Sequence, residues 1–219
     1  MHTEPDAAGS FIEQARRAQI VQSTIEVLAE QGYGAASFAR IAQRASISPG
    51  LITYHFQTKD ALISAVLATV EGRLDAAMAN PEGEEPESYP AALEGMLRRF
   101  AEHCRTHGGE ISAMTAIRRE VQGEAVRQAV ARTDRRGSAE LVAFIREGQE
   151  HGQFRAVDPA LYATVLMSAM GEFPRFRADD VEEQRRVAAD WVSLFVNAIS
   201  TTAGPGEDTD PADPTWSAP

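Results

Sequence analysis

The stretch 36–59 constrains the fold of this chain more than any other part of the sequence. Ser37 is a good N-cap residue, and the apolar residues after it recur at helical spacing. These residues are Phe38, Ile41, Ala42 and Ala45. Ser48 can cap a second helix, with Pro49 at the first helical position, where a missing N–H costs nothing. The stretch therefore predicts two short helices joined by a tight turn at 45–48.

The second helix of this pair, at 49–56, has an unusual outer face. Ile52 and Phe56 are four residues apart and point inward together. The outer face is left with Gly50, Leu51, Thr53 and Tyr54, and the cationic residues nearby are Arg40, Arg44 and Lys59. An uncharged helix face beside cations suits a helix that lies in a DNA groove. We therefore expect Gly50, Leu51 and Thr53 to approach base edges.

Taken together, these residues resemble the DNA-binding domain of the tetracycline-repressor (TetR) family of bacterial regulators. The matching residues, over roughly 16–67, are Gly32-Tyr33, Ser37, Ile41-Ala42, Ala45, Ile47-Ser48, Gly50, Ile52, Tyr54-His55-Phe56 and Lys59. So many positions in the right order are far more specific than one short motif. Two positions depart from the family pattern. Ser46 stands where the family has a turn glycine, and Thr53 stands where it has the first aromatic residue of the recognition helix.

The resemblance also implies which residues contact DNA. They are Ser37, Arg40, Arg44, Ser48, Pro49, Gly50, Leu51, Thr53, Tyr54, His55 and Lys59. The matching positions of Tyr54, His55 and Lys59 hold phosphates in similar proteins. Lys59 also begins the next helix, where backbone N–H groups favour an anion. For His55 a second interpretation stays open, namely a histidine that caps the core and orients the helix.

An all-α fold with three segments follows from the resemblance and from composition. Residues 11–57 would form the helix-turn-helix DNA-binding domain, and 58–202 a helical domain for effector binding and dimerisation. Residues 203–219, rich in Pro, Asp and Thr, are expected to form a disordered acidic tail. The implied function is a transcriptional repressor that binds a palindromic operator as a homodimer and is released by a small-molecule effector. An activator, or a helical DNA-binding protein without a ligand, stays open as an alternative.

The net charge of −11 argues against general affinity for nucleic acid. The charge is uneven, however. Segment 37–60 carries three basic residues against Asp60, whereas the loop 80–90 and the tail 203–219 each carry four acidic residues and no base. We therefore expect weak nonspecific binding and a dependence on specific contacts, with helix N-termini adding partial positive charge.

The rest of the chain predicts further helices. The first would run from residue 11 or 12 to Gln31 after a frayed arm at 1–10, and Thr58 would cap a fourth helix that ends near Ala79. Beyond the loop 80–90 we expect a helix at 89–107, a break at Gly108-Gly109 and a short helix. A long helix follows at 124–150, and Asp158 caps the next start. Arg16 and Arg17 fit phosphate contacts and a solvated helix face equally well.

Two terminal helices, around 159–171 and 181–200, carry wide apolar faces. These faces fit either an intramolecular core or a self-complementary patch that forms a dimer as a four-helix bundle. The family resemblance favours the dimer.

Some residues of the later helices could carry chemistry. His103, Cys104 and His107 could form a metal face, but a third or fourth ligand is missing, which favours a helix end with a buried cysteine and two surface histidines. Apolar residues of the middle helices could border a ligand cavity or form plain core: Met96, Phe100, Met114, Phe144 and Met167. We expect no cofactor, no metal and no enzymatic activity, because the sequence has no phosphate loop, serine elbow or paired carboxylates.

The location follows from what the sequence lacks. No apolar run is long enough to span a bilayer, and no signal peptide is recognisable. Cys104 is a single cysteine, which excludes an intramolecular disulfide. A cytoplasmic protein is expected.

Overall fold

The computed structural model describes residues 6–121, 123–176 and 180–201, with the backbone alone over residues 6–10. The described chain consists of eight α-helices and one 3₁₀ turn. They are α1 (Asp6–Gln31), α2 (Phe38–Ala45), α3 (Pro49–His55), α4 (Lys59–Met78), α5 (Tyr89–Glu120), α6 (Glu124–Glu150), α7 (Pro159–Glu172), the 3₁₀ turn Phe173–Arg175 and α8 (Val181–Ile199). This confirms the all-α prediction. None of the described helices is long and apolar enough to cross a membrane.

The predicted helix starts are confirmed by their caps. The side chains of Ser37, Ser48, Thr58 and Asp158 each accept a hydrogen bond from a backbone N–H in the first turn of the helix that follows. These bonds satisfy N–H groups that have no partner within the helix. The predicted frayed arm is wrong over 6–10, where the backbone is already helical. The rest of that arm and the predicted tail 203–219 lie outside the described residues.

Helix α5 bends where the sequence predicted a break. His107 has non-helical backbone angles (φ −129°, ψ 26°), but the helix resumes directly and continues to Glu120. The predicted break is therefore confirmed, one residue before Gly108, because two helical segments meet at this kink within α5. The bend divides α5 into two halves that pack against different neighbours.

A buried polar cluster bridges this bend. The carboxyl of Glu110 is almost fully buried, and its Oε2 lies 3.0 Å from Nε2 of His103, on the other side of the bend. Arg73 of α4 bonds to the second oxygen of Glu110 and also donates to Gln22 of α1 at 3.1 Å. The cluster thus ties α1, α4 and both halves of α5 together.

The same cluster corrects the assignment of His103 to the surface. Its exposed fraction is 8%, because the ring packs between the halves of α5 and stacks on His107 at 4.8 Å between ring centroids. Cys104 is buried, as predicted, and burial raises the pKa of its thiol to about 12. In the part of the chain that the structure describes, no three His, Cys, Asp or Glu side chains converge on a metal position.

The core has three parts. The first joins α1–α4 to the second half of α5 and the start of α6 through buried residues that include Ile20, Ile41, Ile52, Val66 and Ile117. The second lies between α5, α6, α7 and α8, around residues such as Leu97, Ile145, Leu166 and Phe195. A smaller third cluster packs Phe100 and Phe173 against Trp191. Helices α1 and α4 therefore lie between the helix-turn-helix and α5.

Gly148→Ala should destabilise the protein. Gly148 is buried in α6, and an added Cβ would overlap the ring of the buried Phe154, whose backbone N–H is held by the Gly148 carbonyl. We expect the free energy of unfolding, measured by urea denaturation, to fall by about 1–3 kcal/mol.

Gly72→Ala is the matched control. Gly72 also lies inside a helix, but a Cβ there would meet no atom within 4 Å. The better helix propensity of alanine should raise stability by about 0.5–1 kcal/mol. Equal effects of the two substitutions would contradict the packing explanation.

Candidate DNA interface and ligand cavity

Most of the predicted DNA-contacting residues are accessible to solvent. Eight of them are exposed: Ser37, Arg40, Arg44, Ser48, Pro49, Gly50, Thr53 and Tyr54. The other three, Leu51, His55 and Lys59, are partly buried. Ile52 and Phe56 are buried and anchor the opposite face of the helix, as predicted. Tyr54 is the most prominent of the group, with 74% of its surface exposed.

The turn before α3 places a serine in a left-handed conformation. Ser46 has φ 54° and ψ 45°, the only positive φ of a non-glycine residue among those described. The N–H of Ile47 bonds to the Ala42 carbonyl at 3.0 Å, which closes the end of α2 as a Schellman motif does. A left-handed residue is the position that favours glycine, so the departure from the family pattern keeps the shape of the turn at some cost in strain.

Helix α1 holds the carboxyl ends of both short helices. The side-chain amide of Gln19 donates to the carbonyl of Ala45 at 2.9 Å. The guanidinium of Arg17 donates to the carbonyl of His55 at 2.6 Å and lies over the Phe56 ring, 4.3 Å from its centroid. These bonds satisfy the terminal carbonyls of α2 and α3 and orient α3 on α1. Sequence reasoning missed Gln19, because a partner 26 residues away leaves no local pattern.

The two arginines of α2 have different surroundings. Arg44 pairs with Glu26 at 3.3 Å and also with Glu30, both on α1, and the hydrogen bond to Glu30 raises the pKa of its guanidinium. Arg40, one turn earlier, is exposed and pairs with no carboxylate among the described residues. Arg40 therefore presents a charge that phosphates can neutralise, whereas that of Arg44 is already compensated.

The side chains of Lys59 and His55 both contact other residues of the protein. The ammonium of Lys59 donates to the Tyr33 carbonyl at 2.9 Å and lies 4.0 Å from the centroid of the Tyr33 ring, and burial lowers its pKa. The ring of His55 meets Tyr54 edge-on at 5.0 Å. Its Nδ1 is buried without a hydrogen-bond partner in the described chain, so this nitrogen does not face a phosphate in this structure.

A cavity of about 840 Å³ lies between α4, α5, α6 and α7. The structure brings all five residues of the predicted ligand set to its wall: Met96, Phe100, Met114, Phe144 and Met167. Helix α4 also contributes Glu71, Leu74, Asp75 and Met78, which sequence reasoning missed because it treated α4 only as a packing helix. The volume falls in the range typical of small-molecule sites.

The charged residues of the wall are mostly paired. Three arginines have carboxylate partners: Arg118 with Asp134 at 2.8 Å, Arg119 with Glu172 at 2.7 Å and Arg136 with Asp75 at 3.0 Å. The fourth, Arg99, bonds only to neutral oxygen atoms among the described residues. The wall therefore combines apolar side chains with ion pairs and one arginine that has no carboxylate partner in the described part of the chain.

Two short capped helices joined by a tight turn, the second of them largely exposed, form a helix-turn-helix, and the same chain carries a cavity of ligand size. Residues 20–66 match bacterial regulatory proteins of the tetR family, and residues 86–199 match the tetracyclin repressor-like C-terminal domain. The chain belongs to the tetR family of bacterial regulatory proteins.

Known relatives agree with this assignment. The HTH-type transcriptional regulator BetI of Escherichia coli (strain K12 / DH10B) is 32% identical over 85 residues, which cover 36% of this chain and 44% of BetI. The chain thus spans less than half the length of this curated relative. A tetR-family protein from Rhodococcus RHA1 is 23% identical, with a TM-score of 0.72, over 84% of this chain and 97% of its own. AibR, solved with isovaleryl coenzyme A and operator DNA, is 17% identical, with a TM-score of 0.70, over 82% and 97%. These structural likenesses show the fold alone.

Arg40→Ala should weaken DNA binding mainly by removing a salt-dependent interaction with phosphate. The slope of log K against log salt concentration should become shallower by about one unit for each half-site, because one cation fewer displaces counterions there. The measurement is fluorescence anisotropy with labelled DNA at several salt concentrations.

Arg44→Ala is the matched control one turn away in the same helix. Its charge is already compensated by Glu26 and Glu30, so the slope should change less than in Arg40→Ala. Equal reductions in the two variants would contradict this division of roles, because they would require the ion pairs of Arg44 to open on DNA.

Proposed function

We propose that the protein is a repressor that binds a palindromic operator as a homodimer in the cytoplasm and is released by a small, mainly apolar effector. The observation that carries this proposal is the position of α4. Its first half packs into the core of α1–α3, through residues such as Leu62 and Val66, and its second half lines the cavity with Leu74 and Met78. One rigid helix therefore joins the ligand cavity to the DNA interface.

The proposed division of the chain assigns one role to each segment. Residues 11–57 present the recognition helix, and 58–202 hold the cavity and the dimer surface. Met114 links the two, since it is buried in the core shared with α1–α4 and also lines the cavity. A ligand that displaces Met114 or α4 would change the orientation of α1–α3 relative to the later helices. In a dimer, this change would alter the distance between the two recognition helices.

The DNA roles are proposed from exposure and chemistry. Gly50 and Thr53 are exposed on α3, and Leu51 is partly buried, so this face reads base edges. Tyr54 and Arg40 hold phosphates, together with the capped starts of α2 and α3 at Ser37 and Ser48. Pro49 presets the first turn of the recognition helix. Lys59 can reach a phosphate with donors that the Tyr33 carbonyl leaves free, since an ammonium carries three. His55 serves mainly to orient the helix.

The dimer surface is proposed at α7 and α8. Leu161 and Val165 lie one turn apart on α7 and are 65% and 51% exposed, and Leu194 on α8 is 65% exposed. The hydroxyl of Tyr162 donates to the Phe195 carbonyl at 2.7 Å, so α7 contacts α8 at this point. Exposed apolar residues on two adjacent helices fit a self-complementary patch that a second copy of the chain would cover.

Selection of binding sites from random DNA tests the proposed function. A two-fold dimer should recover an inverted repeat whose half-site centres lie roughly 34–40 Å apart, about one turn of DNA or slightly more. A recovered site without internal symmetry would contradict the dimeric operator.

Leu194→Glu should convert the dimer into a monomer, because the dimer would bury two unpaired carboxylates on its axis of association. Sedimentation at micromolar concentration should show one chain. Operator affinity should fall by at least about 100-fold, because a monomer engages only one half-site.

Ala189→Glu is the matched control. Ala189 is also exposed on α8 but lies about 140° around the helix from Leu194. Its substitution should leave the dimer intact. Dissociation in both variants would place the interface elsewhere.

A further inference from the structure

We propose that the effector is an amphiphilic anion whose apolar body fills the cavity and whose carboxylate head is held by Arg99. This inference rests on the proposed function, because it assigns the chemical class of the molecule that the cavity takes.

Arg99 lies at the end of the cavity formed by the carboxyl end of α4 and the first half of α5. Its Nε donates to the carbonyl of Met78 at 3.1 Å, and Nη2 donates to Oδ1 of Asn80 at 2.7 Å. Both acceptors are neutral, and the residue is partly buried. These bonds hold the guanidinium in a defined orientation without neutralising its charge.

Arg99 differs from the other arginines of the wall in having no carboxylate partner among the described residues. Arg118, Arg119 and Arg136 each pair with a carboxylate within 3.0 Å, whereas no carboxylate pairs with Arg99 in the described chain. A guanidinium that is partly removed from water without a counter-charge is unfavourable. A ligand carboxylate would supply that counter-charge through charge-assisted hydrogen bonds.

The residue one turn before Arg99 keeps the guanidinium accessible. This residue is Gly95, and a Cβ built there would lie 3.0 Å from Nη1 of Arg99. Glycine therefore leaves room beside α5 for Nη1, the guanidinium nitrogen that no described residue bonds. A planar guanidinium with a free edge suits a carboxylate better than a rounded or cationic group.

Apolar residues next to Arg99 can accept the rest of the ligand. Met96 and Phe100 flank it on α5, and Phe144 and Met167 continue the apolar wall away from the charged end. Methionine adapts to flexible chains, because its side chain has three rotatable bonds and a polarisable sulfur. An alkyl chain with a terminal carboxylate matches this order of groups.

Glu71 offers the opposite interpretation, namely a cationic head. Its carboxylate accepts a hydrogen bond from the Thr133 hydroxyl at 2.7 Å and pairs with no cation among the described residues. However, the single hydrogen bond from Thr133 fixes only one oxygen of Glu71, whereas two hydrogen bonds fix the plane of the Arg99 guanidinium. This difference favours the anion.

The test measures the melting temperature of the full chain with three probes of equal chain length, each below its micelle concentration: decanoate, decan-1-ol and decyltrimethylammonium. Decanoate should raise the melting temperature most. Arg99→Met keeps the apolar stem and should weaken decanoate binding by about 10- to 100-fold, while binding of decan-1-ol stays unchanged. Arg119→Met, a matched variant at the other end of the cavity, should keep the preference for decanoate.

Each other outcome has a distinct meaning. Equal binding of decanoate and decan-1-ol would overturn the anionic head and leave the apolar effector standing. Preference for decyltrimethylammonium would overturn the anionic head and indicate a cationic head held by Glu71. Stabilisation by none of the probes would contradict both this inference and the proposed ligand cavity.

Two further measurements keep the test independent of folding and of the proposed repression. Arg99→Lys retains the charge without the planar fork and should lose only part of the preference for decanoate, even if Arg99→Met folds poorly. Operator binding followed by anisotropy should fall with decanoate. Binding of decanoate without release of DNA would overturn the proposed function but not the anion site.

Discussion

The apolar stripe of α4 is the constraint on which the rest of this structure depends. Its first half is buried against the helix-turn-helix segment, at Leu62, Ile63, Val66, Leu67 and Val70. Each such side chain contributes roughly 1.5–3 kcal/mol when fully buried. The same helix turns Leu74 and Met78 toward the cavity. A close-packed helix moves as a unit, so a displacement at its cavity end is carried to α1–α3 rather than absorbed locally.

Buried polar groups then fix how α1, α4 and α5 meet. Apolar packing alone tolerates small rotations and shifts, but a buried carboxylate requires its donors at defined positions. Glu110 meets this requirement with Arg73 on α4 and His103 across the bend of α5. The contacts of Glu110 therefore stabilise the bend, so that the two halves of α5 can pack in different parts of the core.

Polar contacts within the protein also fix the charged residues near the DNA interface. Ion pairs with α1 compensate the charge of Arg44, and the ammonium of Lys59 donates to the carbonyl of Tyr33 in the loop between α1 and α2. Much of the local positive charge is therefore used in contacts within the protein. The exposed remainder is modest for a chain of net charge −11. Affinity for DNA must then come from an accurately positioned recognition helix and from helix N-termini more than from bulk charge.

The sequence by itself determined the features that depend on neighbours within one or two helical turns. Caps such as Ser48 and Asp158, the bounds of α6 and the buried side of α3 follow from local spacing, because hydrogen bonds to the first turn and apolar periodicity act over three or four residues. Helical spacing also pointed to the five Met and Phe residues that the fold brings to one cavity. Only the tertiary structure decided the burial of His103 and the bonds from Arg17 and Gln19 to the ends of α3 and α2. Those outcomes join groups from separate helices, up to 38 residues apart, and the free energy of burying or pairing a group depends on which surface the fold places against it.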